Sequence, residues 1–493
     1  MYNVAVSDTV ASIAGAGSIT LGSNTLTSGG SDASTTFSGV ISGTNGNIIK
    51  AGTGTLTLSG ANTYTGTTTI NAGDLTVSGS LHDSTAVTIA SGADYNVNAS
   101  DTVASIEGAG NIVIASSQTL TAGDGNDKTL SGVISGAGNY IKAGSGTQTL
   151  SASNTYTGTT QVSAGTLTVS GSGRLSDSTA VTVDSGAVYN VAVSDTVASI
   201  AGAGSITLGS NTLTSGGSDA STTFSGVISG TNGNIIKAGT GTLTLTGNNS
   251  YTGSTTISAG LLKIIRDDPT SYLAATSGFT GPGNLTIESS GDDFTADIVT
   301  GTHVQLAGTA LGNLIIGKTG NTRQIDLSSD ITTTGTQTYN GPVRLVGGDR
   351  TVSTTNSNII FASTVNSDGT QRALTVTNGT GDTTFSGAIG GSAPVKSLTI
   401  TSDQLTAGAI TLNGALTATL GGSSSITGVI ANGASTANLV KAGSGTLTLS
   451  ASNTYTGTTQ VSAGTLTVSG SGRLSDSTAV TVDSGAVYNC CGE

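Results

Sequence analysis

The stretch FSGVISGTNGNIIKAGTGTLTLSGANTYTGTTTINAGDLTVSG, residues 37–79, decides the fold, and versions of it begin again at Leu130, Phe224 and Ile426. Segments within it, such as GTLTLSG and GDLTVSG, alternate an aliphatic residue with a hydroxylated one and close at Gly, Ser or Asn. A period of two is typical of strands with one buried face, and the closing residues favour tight turns. The stretch therefore predicts many short strands joined by turns.

Longer blocks of the sequence recur without change. Residues 2–58 return as residues 189–245, and residues 149–190 return as residues 448–489. Short strands without helical patterns between them can bury their apolar faces by coiling, so that each coil covers the next. We therefore predict an all-β, elongated β-solenoid, a parallel β-helix with coils of about 21 residues. A globular sandwich is the alternative, although sandwiches do not normally repeat for so long.

The composition argues against several classes of protein. The chain has 493 residues with 75 Gly, 9% charged and 3% aromatic residues, and no Trp. Large aromatic side chains are too few for the core of a compact enzyme, while the low charge and many branched aliphatic residues argue against disorder. A net charge of −13 disfavours nucleic acid as a partner. No apolar run approaches the roughly 18 residues of a membrane helix, and no export signal follows Met1.

The segment KAGTGTLTLSGANTYTGTTTINAGDLTVSG from Lys50 resembles the autotransporter-associated β-strand repeat, and four copies in register carry this resemblance. It implies a right-handed parallel β-helix passenger that is exported through the outer membrane and displayed outside the cell. It also implies that the chain is a piece of a longer protein with a membrane barrel. Residues 331–345, ITTTGTQTYNGPVRL, are similar to the repeats of filamentous haemagglutinin-like adhesins.

The repetition is interrupted in the middle of the chain. It lapses after Ile265 and resumes near Ile426, and all four prolines lie between Lys263 and Lys396. We predict a regular repeat array over residues 1–265, a less regular adhesin-like solenoid over 266–425, and a final repeat, cut mid-repeat, over 426–493. A separate globular domain in the middle segment is the alternative.

Each copy of the repeat carries a Lys and a Tyr fourteen residues apart, and these residues are its structural landmarks. They are Lys50 and Tyr64, Lys142 and Tyr156, Lys237 and Tyr251, and Lys441 and Tyr455. A charge near the end of a strand usually protects an edge or faces water, so we expect the lysines at the surface. The tyrosines follow predicted turns and are expected to cap a coil, the alternative being a ladder on which glycans stack.

A catalytic site would need paired acids, and one cluster invites comparison with carbohydrate-active β-helices. Its members are Glu288, Asp292, Asp293 and Asp297, with His303, Arg323 and Asp326 downstream. We favour a polar loop on a solvated solenoid as the explanation of this cluster. We expect no enzyme activity and no cofactor, with a lyase or glycosidase as the alternative.

Metal and thiol chemistry have weak signals. The segment Asp124-Gly125-Asn126-Asp127 offers oxygen ligands at turn spacing, yet it lacks the calcium-binding loop pattern. His82 and His303 are far apart, and neither has the further ligands of a zinc site. Cys490 and Cys491 could join two chains or mark a foreign junction, and we predict no metal site.

These observations together predict a surface-exposed structural and adhesive stalk. Its outward face of Thr, Ser and Asn would associate side by side with a second copy or bind surface glycans. The alternatives are a spacer that carries a separate functional head and the carbohydrate-active enzyme.

Overall fold

The computed structural model describes residues 1–269, 278–306 and 311–490, and all regular secondary structure in these ranges is β-strand. The strands are two to six residues long and pair in parallel. The prediction of an all-β, parallel β-solenoid is therefore confirmed. In the described part of the chain, no helix is long and apolar enough to cross a membrane.

The chain forms two compact units. The first unit comprises Met1–Leu243 and Asn249–Gly253, and the second comprises Thr244–Asn248 and Ser254–Glu493. The division predicted from the repeats, at residues 1–265, 266–425 and 426–493, concerns the kind of repeat and stays a prediction.

The strands up to residue 245, of which the last reaches into the second unit, are β1 (Tyr2–Asn3), β2 (Asp8–Val10), β3 (Ile19–Thr20), β4 (Thr25–Ser28), β5 (Thr35–Phe37), β6 (Ile41–Gly43), β7 (Asn47–Lys50), β8 (Thr55–Leu58), β9 (Thr63–Tyr64), β10 (Thr67–Ile70), β11 (Gly73–Val77), β12 (Ala86–Ile89), β13 (Ala93–Val97), β14 (Asp101–Val103), β15 (Ser105–Gly108), β16 (Asn111–Ile114), β17 (Thr119–Ala122), β18 (Lys128–Leu130), β19 (Ile134–Gly136), β20 (Asn139–Lys142), β21 (Thr147–Leu150), β22 (Thr160–Val162), β23 (Thr166–Val169), β24 (Ala180–Val183), β25 (Val188–Val191), β26 (Asp195–Val197), β27 (Ser199–Gly202), β28 (Ser205–Thr207), β29 (Thr212–Ser215), β30 (Thr222–Phe224), β31 (Val227–Ser229), β32 (Asn234–Lys237) and β33 (Thr242–Leu245).

The strands after residue 254, all in the second unit, are β34 (Thr255–Ile257), β35 (Leu261–Ile265), β36 (Phe279–Thr280), β37 (Asn284–Glu288), β38 (Ile298–Val299), β39 (Leu314–Ile316), β40 (Ile325–Leu327), β41 (Ile331–Thr333), β42 (Gln337–Tyr339), β43 (Val343–Leu345), β44 (Arg350–Thr354), β45 (Ile359–Phe361), β46 (Val365–Ser367), β47 (Leu374–Thr377), β48 (Thr383–Phe385), β49 (Leu398–Ser402), β50 (Leu405–Ala407), β51 (Ile410–Leu412), β52 (Ala415–Leu420), β53 (Ser423–Ile426), β54 (Ile430–Asn432), β55 (Asn438–Ala442), β56 (Thr446–Leu449), β57 (Thr459–Val461), β58 (Thr465–Val468), β59 (Val480–Val482) and β60 (Val487–Asn489).

Successive coils of the first unit stack equivalent strands on one another. One six-stranded sheet runs in the order β5-β8-β11-β13-β16-β19, so that each strand pairs with its counterpart one coil away. Its register aligns Leu56 with Leu75, Leu75 with Tyr95, and Tyr95 with Ile112. These side chains are at most 2% exposed, and the threonines between them point outward. The core is therefore a stack of aligned apolar side chains, which is how short strands without large aromatic residues bury a continuous interior.

The second unit repeats this arrangement with less regular coils. Its eight-stranded sheet has the order β41-β44-β47-β49-β52-β55-β57-β59. Where aromatic residues do enter its core they also align, since the ring of Phe361 stacks between Tyr339 and Phe385 at centroid distances of 5.0 and 4.7 Å. Both units thus bury their apolar side chains by stacking like on like.

Candidate functional site

The four repeat lysines lie inside the solenoid and are at most 1% exposed. Each ammonium nitrogen donates hydrogen bonds to the carbonyl oxygens of the Ala and Gly that follow it, at 2.5–2.9 Å. Lys50, Lys142 and Lys441 donate a third bond to an Ala carbonyl of the next coil, which for Lys50 is Ala72 at 2.9 Å. The expectation that these lysines face water is wrong, because carbonyl oxygens inside the solenoid replace their hydration shell.

A left-handed glycine aims one of those carbonyls at the ammonium group. Gly52, two residues after Lys50, has φ +71°, and Gly443, two residues after Lys441, has φ +73°. A Cβ atom at Gly52 would lie 1.8 Å from the carbonyl oxygen of Gly29 in the preceding coil. Only glycine satisfies both the backbone angle and this close approach. The Lys-Ala-Gly sequence therefore forms one local structural motif.

Burial lowers the pKa of all four lysines, and nearby acids decide by how much. Asp74 and Asp32 partly offset the effect at Lys50, and Asp219 does so at Lys237. Burial acts without such an offset at Lys441, whose pKa falls to about 8. Among the repeat lysines, Lys441 is thus the one whose charged form burial destabilises most.

An asparagine lies two residues before each repeat tyrosine and links neighbouring coils, and sequence reasoning did not single it out. These residues, 3–6% exposed, are Asn62, Asn154, Asn249 and Asn453. In each, the side-chain oxygen accepts a backbone N–H of the preceding coil at 2.8–3.1 Å. The amide nitrogen of Asn62 donates to Gly60 and, in the next coil, to Ser80, both at 3.0 Å. The side chain thereby satisfies backbone groups that a strand would otherwise pair.

The repeat tyrosines are also buried, at most 1% exposed. The hydroxyl of Tyr64 shares a hydrogen bond of 2.6 Å with Thr68, and that of Tyr455 shares one of 2.5 Å with Thr459. Desolvation raises the pKa of Tyr64, so that its hydroxyl stays protonated and neutral. No ring face remains for a sugar, which excludes the glycan-stacking alternative at these four positions.

A second set of buried tyrosines, which sequence reasoning missed, pairs with aspartates six residues later. Tyr95 donates to Asp101 at 2.9 Å, and Tyr189 donates to Asp195. The two carboxyl groups belong to residues only 5% and 3% exposed. Burial raises the pKa of Asp101 to about 6, although its hydrogen bonds lower it. The repeated motif YNVxxSDTV was the available signal, because period two places its Asp on the same face as the valine two residues later.

The acids after Glu288 hold different loops rather than one pocket. Glu288 forms an ion pair with Lys263 at 2.7 Å, and Asp326 binds Arg344 through two hydrogen bonds of 2.9 and 2.6 Å. The carboxylate of Asp293 accepts the hydroxyl and backbone N–H of Thr322, which lowers its pKa. A general acid needs a raised pKa, so Asp293 is poorly suited to that role.

The remaining candidates of this cluster have local partners. Asp297 accepts the backbone N–H of Gln324 at 3.3 Å, and His303 accepts that of Val299 at 3.1 Å. Arg323 donates to the carbonyl oxygen of Phe294 at 3.2 Å, whereas Asp292 is exposed. The structure thus ties Asp297, His303 and Arg323 to the backbone of neighbouring segments.

The candidate metal ligands serve turns. Asp124 accepts the backbone N–H of Asn126 at 2.7 Å beside Gly125, and Asp127 accepts that of Thr147, also at 2.7 Å. His82 accepts the N–H of Ser84 at 3.1 Å. Within residues 1–269, 278–306 and 311–490, no three His, Cys, Asp or Glu side chains are grouped to hold a metal ion.

The two cysteines differ in what the structure says of them. Cys490 is an exposed free thiol, whereas Cys491 lies outside the described residues. Their predicted roles, a link between chains or a foreign junction, stay predictions.

An uncharged array of hydroxyl groups covers part of the second unit, and we call it the threonine face. It consists of two outward residues on each of β44, β47, β49 and β52, namely Thr351, Ser353, Thr375, Thr377, Thr399, Thr401, Thr417 and Thr419. The register aligns Thr375 with Thr399 and Thr399 with Thr417, and it aligns the second row likewise. Neighbours along a row are about 4.8 Å apart, and the rows are about 6.6 Å apart. All eight side chains are half-buried or exposed.

The fold and the repeated Lys, Asn and Tyr define a class of protein, a repeat-built β-solenoid whose polar landmark residues are internal. The comparisons agree. A family model, the passenger-associated-transport-repeat, matches residues 48–77, 141–169, 235–264 and 439–468. Sequence recognition of autotransporter passenger repeats is thereby confirmed, and passengers of this kind are displayed at the cell surface. The similarity of residues 331–345 to haemagglutinin-like repeats stays a prediction.

One curated relative extends the likeness beyond the repeats. Over 274 residues the chain is 36% identical to the adhesin BmaC autotransporter of Brucella suis biovar 1 (strain 1330). The alignment covers 52% of this chain and 8% of that protein, so the chain corresponds to a small part of its relative. No solved structure matches the chain.

Proposed function

We propose that this chain is a structural and adhesive segment of a surface-displayed autotransporter passenger, and that it makes contact through the threonine face. The passenger repeats and the similarity to a protein named as an adhesin support this assignment. The observation that carries it is the paired rows of hydroxyl groups, which offer donors and acceptors at a regular spacing without a charge to desolvate.

Side-by-side association with a second copy is the contact we favour. Two identical faces with the same strand spacing can align their hydroxyl rows in register, whereas a surface carrying like charges would repel its copy. Surface glycans, which also present hydroxyl groups, are the other ligand that this chemistry would accept. A spacer role would need the same solenoid without a contact of this face.

Cells that display the chain test the proposal. Replacing Thr375 and Thr417 with Lys puts two charges on the threonine face, separated by β49 so that they do not repel each other directly. We expect this variant to lose cell aggregation, while the control with Ser at both positions, which keeps the hydroxyl groups, retains it. If both variants aggregate equally, adhesion lies outside the threonine face. If neither the variants nor the parent chain aggregate, only the spacer role is left.

We further propose that the chain is not an enzyme and that the outer-membrane anchor is supplied by another part of the full-length protein. The engagement of Asp293 and Asp326 in loop contacts supports the first statement. Purified chain is expected to release no new sugar ends from common polysaccharides. Turnover that disappears on replacing Asp292 or Asp293 with Asn would overturn this part of the proposal.

A further inference from the structure

The third copy of the repeat differs from the others just after its last strand, β35. In the other three copies a Gly-Ser pair lies at this point, as Gly171-Ser172 does after β23. In the third copy the same position holds Arg266-Asp267, and Asp268 follows. Three of the four copies thus form their coils without charged side chains here. The coil itself does not require these charges, so we looked for another role.

A cavity opens at this point of the second unit, and we call it the Arg266 cavity. Its volume is about 580 Å³, which lies in the range of about 300–1,000 Å³ that is typical of small-molecule sites. Its residues end or follow three neighbouring parallel strands, β33, β35 and β37, so the cavity extends over roughly 10 Å. Residues that line it include Asn248, Ile265, Arg266, Asp267, Asp268 and Ser290.

Arg266 is a buried charged residue in the wall of this cavity. It is 6% exposed, and its Nη1 donates a hydrogen bond of 3.0 Å to the carbonyl oxygen of Gly247. Burial lowers the pKa of Arg266, while Asp268 and Asp267 oppose this effect. A guanidinium carries five N–H donors in one rigid plane and stays protonated in proteins. The side chain therefore brings donors to a fixed place in the cavity wall.

Two carboxylates add acceptors beside these donors. Asp267 accepts the backbone N–H of Ser290 at 2.7 Å and the Ser290 hydroxyl at 2.9 Å, so its carboxylate is held in one orientation. These hydrogen bonds lower the pKa of Asp267, which keeps the carboxylate ionised at neutral pH. Asp268 lines the same cavity and is exposed. The cavity thus combines donors with acceptors that neighbouring coils hold in place, as a preorganised binding site requires.

We propose that the Arg266 cavity binds a neutral sugar residue of a surface glycan. Neighbouring hydroxyl groups of a sugar both donate and accept hydrogen bonds, so they suit a guanidinium beside carboxylates. An anionic ligand would meet Asp267 and Asp268, and a cationic ligand would meet Arg266. A wholly apolar ligand would desolvate all three charges without replacing their hydrogen bonds to water. Ile265 offers an apolar surface to the C–H groups of a sugar ring.

This site is distinct from the threonine face. The residues of the cavity end or follow β33, β35 and β37, whereas the threonine face lies on β44, β47, β49 and β52. Sugar binding in the cavity therefore does not depend on side-by-side association of two copies. It would give the stalk a second kind of contact, with a glycan in place of another copy of the chain.

Saturation-transfer NMR on the full chain tests the site, with glucose, galactose, mannose and N-acetylglucosamine as probes. We expect at least one of these sugars to bind. The decisive variant carries Arg266→Gly, Asp267→Ser and Asp268→Gly, which gives this loop the sequence of residues 171–173 in the second copy. Because hydrogen bonds to charged groups are lost, the variant is expected to lower the association constant about tenfold or more.

Two further variants separate binding from folding and from adhesion. Asp268→Asn removes the charge of an exposed side chain and should weaken binding, while circular dichroism and hydrogen exchange at the Ser290 amide stay as in the parent chain. The chain with Thr375→Lys and Thr417→Lys should bind sugar like the parent, whether or not it loses cell aggregation, so the two proposals can fail separately. Binding of none of the four sugars, equal binding by the triple variant, or tighter binding of glucuronate than of glucose would overturn the proposal.

Discussion

Replacing Lys441 with Met tests the role of the buried repeat lysines. Met keeps an unbranched apolar side chain but removes the ammonium group, so the carbonyl oxygens of Ala442, Gly443 and Ala463 lose their donor. Hydrogen bonds to a charged group contribute about 1.5–3 kcal/mol each. Against this loss, the fall of the Lys441 pKa from 10.5 to about 8 corresponds to about 3 kcal/mol spent on burying the charge. We expect a net loss of about 2–6 kcal/mol.

The matched variant is Lys50→Met, in a copy of the repeat where acids assist the lysine. Asp74 and Asp32 stabilise the charged form of Lys50, so less of its hydrogen-bond energy is offset by desolvation. We therefore expect Lys50→Met to lower the free energy of local unfolding more than Lys441→Met does. This order depends on electrostatics, because both lysines donate to three carbonyl oxygens.

Hydrogen exchange followed by mass spectrometry is the appropriate assay, since coils of a repeat protein open locally. The amides of β55 and β57 report on Lys441, and those of β7 and β10 report on Lys50. Between about pH 8 and 10.5 the unfolded chain binds more protons at Lys441 than the folded chain, so stability should rise with pH there, and Lys441→Met should abolish that rise. Unchanged exchange in both variants, or a larger loss at Lys441, would refute the reasoning.

Three further predictions concern buried polar groups. Within the described part of the chain the Tyr140 hydroxyl has no hydrogen-bond partner, so Tyr140→Phe should leave stability unchanged or raise it by about 1 kcal/mol, whereas Tyr64→Phe should lower it by about 1 kcal/mol in urea unfolding; equal losses would contradict this. Because the pKa of Asp101 is raised to about 6, its contribution, up to about 3 kcal/mol, should be present at pH 4 and lost as pH rises through about 6. Asp101→Asn should flatten that dependence, and an unchanged profile would count against it. Asn453→Ala should lower the free energy of unfolding by about 2–4 kcal/mol and speed hydrogen exchange at the Ile430 amide, which the Asn453 side chain caps. Exchange as slow as in the parent chain would contradict this prediction.

The alternation of apolar and polar residues with a period of two was enough to predict most of the fold. The alternation in TLTL at residues 55–58 predicts which side chains turn inward, and the structure buries Leu56 and Leu58 accordingly. Stacking follows because strands this short can bury that face only against another coil. The same rule also applied to Lys50, which lies two residues after the buried Ile48. The surface prediction was wrong because it followed the usual preference of lysine for water and not the alternation, which places Lys50 inside.

What the sequence could not supply is the alignment between coils. The third acceptor of Lys50 is the carbonyl oxygen of Ala72, and the side-chain oxygen of Asn62 accepts the backbone N–H of Ile41, each about one coil away. Which residues meet across coils depends on the lengths of the turns and on glycine angles such as that of Gly52, and a period of two does not fix these. The role of the acids near Glu288 could not be predicted for the same reason, because their partners come from neighbouring coils.

Cysteine pairs across adjacent coils test the parallel, in-register stacking most directly. In a chain without its native cysteines, Thr76→Cys and Asn96→Cys occupy aligned, outward positions on β11 and β13 and should oxidise to an intramolecular disulfide. Moving one partner by two residues, to Asp94→Cys, keeps the same face but breaks the alignment and should slow the reaction strongly. Faster bonding by the shifted pair, or none by either, would contradict the stacked solenoid.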